Sequence, residues 1–246
     1  MCHKTLQLGI ATILCMTSLL FTLSARAENI AVDGVTAAFE LPKGYCALGH
    51  EHPVDKAYYE QQAKMQEGHN KIVVYGVPCK SVDAVHKGGQ APEWAMWLMA
   101  TPQGVPIRSF LGIKRQDFTD QIAKEFPKLD MKAIETVASV RTATEGVGVK
   151  VVSSGLIDQD SSGVYIAILL DVAKNKQNSE LAGVYSEVLM SGRVFTLNLY
   201  RPFDNRETFT GLLSDVKDAT ARSASASDAL PVDKSLPKGM SPPEKK

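Results

Sequence analysis

The sequence predicts a single α+β domain: an antiparallel β-sheet with helices packed against it, behind a cleavable leader. Two observations carry this. Four strand patterns follow one another in the last third, at Gly148–Leu156, Gly163–Val172, Leu181–Met190 and Arg193–Tyr200, with no room for helices between them. Consecutive strands joined by short loops pair antiparallel. Helical periodicity is confined to stretches outside that run, so the helices gather on a face of the sheet.

The first 27 residues say where the chain works. Lys4 gives a basic start, and Leu6–Leu23 runs almost without charge. Ser24-Ala25-Arg26-Ala27 closes the run, with Ala25 and Ala27 at the two small-residue positions that a signal peptidase requires. This is the layout of a secretory signal peptide. Cleavage would leave a mature chain starting at Glu28. Cys15 lies inside the apolar run after Leu14, so it is not placed to accept a lipid. No later segment is apolar for long enough to span a bilayer. The expected location is periplasmic or secreted.

Along the mature chain, Thr36–Leu41 is a strand candidate stopped by Pro42-Lys43-Gly44, and a short segment Tyr45–Leu48 follows. Pro53 suits the first turn of a helix, and Val54, Ala57, Tyr58, Gln61 and Met65 fall at helical spacing down to about Glu67. Lys71–Val77 is β-branched and bounded by Pro78, as a strand should be. Lys80–Gly89 has room for a short helix ending at Gly88-Gly89. Glu93–Ala100 fits either a strand buried on both faces or a short buried helix. Val105–Ile113 suits a return strand after the turn Pro102-Gln103-Gly104. Phe118, Ile122 and Phe126, then Met131, Ile134, Val137 and Ala138, mark two helices. In the last strand Phe195, Leu197 and Leu199 point one way, with Thr196 and Asn198 on a face expected to be wet. Asp204 and Glu207 form a capping box before an amphipathic helix with Phe209, Leu212, Leu213 and Val216 on its apolar stripe. From Arg222 on, the chain is rich in Ser, Ala and Pro and lacks aromatics, which predicts a disordered tail. The expected organisation is a signal peptide over 1–27, one domain over 28–221 and a tail over 222–246.

Composition narrows the function by exclusion. The 246 residues hold 27 basic and 27 acidic side chains, and losing Lys4 and Arg26 leaves the mature chain slightly acidic. No charge run suits nucleic acid or an anionic membrane surface. Of the four cysteines, Cys2 and Cys15 leave with the leader. Cys46 and Cys79 remain, and two cysteines in an oxidising compartment are most simply one structural disulfide. Their spacing is far wider than the C-x-x-C of redox catalysts.

Two motifs resemble a known family. Phe39-Glu40-Leu41-Pro42-Lys43-Gly44-Tyr45 has the form of an early F-x-x-P-x-x-aromatic segment, and Gly192-Arg193-Val194-Phe195-Thr196-Leu197 that of a G-[KR]-x-[YF]-x-L strand leading into the last helix. The two ends of the chain thus resemble PsbP-like domains, a group of photosystem extrinsic subunits, a Ran-GTPase-binding protein and exported bacterial proteins. The resemblance implies a PsbP-like α/β sandwich and a binding or assembly role. It carries no functional residue over, because the motifs consist mostly of turn and core positions.

Two constellations could carry chemistry. His50 and His52 form an H-x-H pair whose rings share a face on extended chain, and His69 and His86 could join from neighbouring segments. Zinc or copper suits such ligands; the alternative is a solvated loop between Gly49 and Pro53. Trp94, Met96, Trp97 and Met99 cluster within one segment and suit either an adaptable ligand or partner surface or an ordinary core. There is no G-x-S-x-G, H-E-x-x-H or P-loop. Gly146-Val147-Gly148 lacks the third glycine of a dinucleotide site. Asp158 and Asp160 lack the closing acid of a calcium loop, since Leu169 stands there. The sequence therefore predicts no cofactor and no catalytic residues. It points to a non-catalytic binding or assembly factor of the bacterial periplasm, whose partner is an envelope protein or a small ligand. The alternatives are a metal-binding protein using His50 and His52, and a hydrolase with a dispersed active site.

Overall fold

The computed structural model describes residues 27–49, 51–67, 70–100, 110–130, 148–174 and 177–231. The expected leader, the helix expected at Met131–Ala138 and most of the strand expected at Val105–Ile113 lie outside them. Phe110–Ile113, which are described, form a turn tied to the sheet by the Phe110 N–H on Gly192 O at 2.8 Å.

Among the described residues, strands β1 (Glu28–Val32) and β2 (Val35–Phe39) form a hairpin. Seven further strands form one antiparallel sheet. They are β3 (Tyr45–Ala47), β4 (Asn70–Pro78), β5 (Trp94–Ala100), β6 (Gly148–Gln159), β7 (Val164–Lys174), β8 (Gln177–Met190) and β9 (Arg193–Pro202). Their order is β3-β4-β5-β9-β8-β7-β6, so the last strand closes the gap between the two halves of the sheet. The helices are α1 (Pro53–Gln66), α2 (Val82–His86), α3 (Arg115–Ile122) and α4 (Arg206–Asp228). A 3₁₀ turn, Cys79–Ser81, precedes α2. No described helix is long and apolar enough to cross a membrane.

Both tight hairpins have the left-handed turn residues that match strand twist. Asp33 and Gly34 have φ of 45° and 80°, and Ser191 and Gly192 have 49° and 73°. The gap between the strands expected to end at Val172 and to start at Leu181 is much shorter, because β7 and β8 stay paired out to Lys174 and Gln177.

The strand period of two sorts side chains onto two buried faces. One face carries Trp97 and Met99 of β5, Tyr165 and Leu169 of β7, Val184 and Val188 of β8, and Phe195, Leu197 and Leu199 of β9. Phe209, Leu212 and Val216 of α4 cover it, together with Ala37 and Phe39 of the hairpin. The other face is not the wet one expected. At one end Ile72, Met96 and Leu98 pack against Val54, Tyr58 and Tyr59 of α1 and Val82 and Val85 of α2. At the other, Val164 and Ile166 meet Ile122, Ala123 and Phe126. Asn198, between these patches, is only 9% exposed. The alternation in β9 was real, but its polar side is not open to solvent: Asn198 is nearly buried and Thr196 half-buried.

Two details of α4 also differ. Its N-cap is Asn205, whose side chain accepts the Glu207 N–H at 2.9 Å while Thr208 closes the box; the expected pair was Asp204 and Glu207. Adjacent Asp and Asn are both good caps, and the helix starts at the later one. The helix also runs through Arg222 to Asp228, past the start of the expected tail. Ser223, Ala224 and Ser227 are buried, because small side chains let the helix lie close against β2. The Ser227 hydroxyl accepts the Ala38 N–H at 2.9 Å, and Ser223 accepts the Glu40 N–H at 2.8 Å.

Candidate functional site

Three chemically active side chains meet where α1 and α2 begin and end. His52 is the N-cap residue of α1, held extended at φ −84° and ψ 129° by the proline that follows it. Asp55 lies in the first turn of the same helix, three residues on, and so faces the same side. His86 is the last residue of α2. The sheet sets the distance between the helices. Tyr59 Oη donates to Ile72 O of β4 at 2.8 Å, and Tyr58 Oη donates to Gly89 O, just past α2, at 3.2 Å. Val85 is fully buried and fixes α2 from below.

Asp55 is 5% exposed, which is unusual for a carboxylate without partners. One oxygen pairs with His86 Nε2 at 2.7 Å, and the other accepts the Gly49 N–H at 3.1 Å. The imidazoles of His52 and His86 stack, with centroids 3.7 Å apart and planes 17° from parallel. His52 Nδ1 is buried and has no hydrogen-bond partner. One donor atom from each of His52, Asp55 and His86 lies within 4.8 Å of the others.

Tetrahedral zinc with bonds of about 2.0–2.2 Å holds its donors about 3.3–3.6 Å apart. The three donors lie near that spacing, and the stacked rings would have to turn out of parallel to share one ion. Two imidazoles and a carboxylate form a ligand set that zinc or copper accepts, with a further position left for water or a substrate. His86 is 28% exposed and gives the group an opening to solvent.

Of the residues singled out from sequence, His52 is in this group; His50 and His69 lie outside the described residues. His86 joins it from the α2 segment. Asp55 was not among the sequence candidates. Its signal was the H-x-x-D spacing His52–Asp55 across a helix start, which puts both side chains on one side of the first turn. The disulfide Cys46–Cys79 is formed, with Cα atoms 4.8 Å apart. Trp94, Met96, Trp97 and Met99 do not converge, because they alternate along β5. Trp97 and Met99 are buried under α4, Met96 faces α1 and α2, and Trp94 is half-buried and stacks on Tyr200 at 5.2 Å.

Several other charged groups are tied into structural pairs. Arg201 bridges Glu93 and Asp215 at 2.8 and 2.5 Å, and Glu93 accepts the Tyr45 hydroxyl at 2.8 Å. Arg222 links Glu40 and Asp218. Lys217 joins Asp158 and Asp160, at 2.7 and 3.2 Å. Burial would raise the Asp160 carboxyl, but bonds from the Ser162 N–H, Lys217 and Tyr165 outweigh it and hold the group below its ordinary range. A cavity of about 470 Å³ lies between β2, the Phe110–Arg115 segment and the end of α4. Its charged pair, Arg115 and Asp228, is closed on itself at 2.6 Å.

No family profile matches this chain, and no curated protein matches it. Among solved structures it is similar to the solution structure of cyanobacterial PsbP (CyanoP) from Synechocystis sp. PCC 6803. Identity is 12% over 83% of this chain and 96% of that one, and the TM-score is 0.37. This is a weak likeness of fold alone, and no residue of that protein is carried over.

Proposed function

We propose that this chain is an exported binding protein of the cell envelope that holds a divalent transition metal at His52, Asp55 and His86. The carrying observation is that one donor atom from each of the three residues lies within 4.8 Å of the others, in a group where His52 Nδ1 is buried and unpartnered. Leaving such an atom without a partner costs about 1–3 kcal/mol, a cost that a metal bond removes. A hydrogen bond from the Gly49 N–H supports the reading by orienting the Asp55 carboxylate, as backbone groups commonly orient metal ligands. Export rests on the leader-like first 27 residues and agrees with the disulfide. This narrows the broader role of a binding or assembly factor to a chemistry that can be measured.

Calorimetric titration of the purified protein with Zn²⁺ and Cu²⁺ tests it. One ion per chain is expected, with binding weakened at least ~10-fold in His52→Ala and in His86→Ala. Equal affinity in the wild type and both variants would contradict the assignment.

A further inference from the structure

The disulfide joins the two segments that carry the histidines of this site. Cys46 is in β3, and the chain runs from it through Leu48 and Gly49 directly to His52. Cys79 opens the 3₁₀ turn that leads without interruption into α2 and His86. The bridge therefore joins the roots of the two segments that end in the two histidines. We infer that Cys46–Cys79 is the positioning device of the metal site, so that full metal affinity exists only when the bridge is closed. The inference rests on the metal-binding reading above.

Three further contacts make the case. β3 is a three-residue edge strand, with only β4 beside it. Beyond it, Leu48 donates its N–H to Tyr75 O at 2.8 Å, and Gly49 donates to Asp55 itself. The Cys79 N–H meets Gly44 O at 2.8 Å, which sets α2 against the start of β3. A strand this short frays readily when it is not tied down. Opening the bridge would loosen Gly49 and His52 against α2 and leave Asp55 without a fixed orienting donor. Outer-shell losses of this kind lower metal affinity about 10–100-fold.

The consequence is order of assembly. Closing the bridge takes two electrons and two protons from the Cys46 and Cys79 thiols. Thiol–disulfide exchange passes them to a disulfide oxidant, which leaves as the dithiol. Metal loading then follows oxidation and is favoured in the compartment where disulfides persist.

The test compares Zn²⁺ affinity in the full protein purified from an oxidising compartment with that of Cys46→Ala/Cys79→Ala, which cannot use free thiols as ligands. Circular dichroism checks that both are folded. A drop of at least ~10-fold in the folded double variant is expected. Unchanged affinity in a folded double variant overturns the inference while leaving the metal site standing. A double variant that stays unfolded even in excess Zn²⁺ also overturns it, since the bridge would then hold the whole fold. If the oxidised wild type binds no better than His52→Ala/His86→Ala, the site assignment itself fails.

Discussion

Asp55 holds the candidate site together at the scale of single residues. Replacing it with alanine strips partners from His86 and from the Gly49 N–H. The expected cost is about 1–3 kcal/mol of stability, together with loss of metal binding. Asp55→Asn keeps the shape and one acceptor. It should retain most of the stability while still binding metal poorly, and urea unfolding beside a Zn²⁺ titration separates the two effects. Glu187 gives an independent prediction. Burial, and then the nearby Glu125 charge, hold its carboxyl above the ordinary glutamate range. The charged form is thus disfavoured more in the fold than in the unfolded chain. The stability that goes with the neutral form is complete below the unfolded value, near 4.5, and is lost as pH rises through the folded value. Glu187→Gln stays neutral, so it should be more stable than wild type at pH 7, with the difference closing below about pH 4. Asp160 runs the other way: its stabilisation is present above the ordinary aspartate value and is lost as pH falls through the lowered one. Equal unfolding midpoints for Glu187→Gln and wild type at pH 7 would show that the burial of this carboxyl is relieved in some other way. At this scale the sequence announced His52 through the H-x-H pair and offered His86 as a histidine that could join it, but not Asp55. Asp55 looks like any acid in a helix first turn, and His86 is 31 residues from Asp55 and meets it only through the fold.

The elements were more legible, because hydrophobic period reports local structure directly. β7, β8 and β9 alternate or run apolar as strands must. Segment 94–100 is apolar on both alternating sets, since both of its faces are covered. The β1–β2 hairpin went unread, although Asp33-Gly34 is the dipeptide that a left-handed two-residue turn requires. The end of α4 was hidden for a different reason. Serine and alanine look unable to build a core when composition is averaged, yet single hydroxyls at Ser223 and Ser227 satisfy the backbone of Glu40 and Ala38. Ending the chain after Arg222 should therefore cost stability that ending it after Pro231 does not, and melting curves of the two truncations check this. Within α4, Leu212 is fully buried and Leu213 only partly. Leu212→Ala should cost about 2–5 kcal/mol and Leu213→Ala clearly less. Asn205→Ala should cost about 0.5–2 kcal/mol as a lost cap. Denaturant unfolding that ranked Leu213 above Leu212 would contradict the packing of α4 on the sheet.

For the molecule as a whole, the bridge and the metal are expected to act on the same end of the sheet. By the chain-entropy account, closing a loop of 33 residues contributes roughly 3–4 kcal/mol. Metal present at 100 times its dissociation constant adds about 2.7 kcal/mol. For a domain of this size each kilocalorie moves the melting midpoint by about 2–4 °C. Zn²⁺ should therefore raise the midpoint of the wild type by several degrees and leave His52→Ala/His86→Ala unmoved. The most direct measurement is anomalous diffraction at the zinc edge from crystals grown with Zn²⁺. One peak is predicted between His52, Asp55 and His86, with metal–nitrogen distances near 2.0–2.1 Å. An ordered, stacked His52–His86 pair with no peak beside it at saturating Zn²⁺ would contradict the metal site.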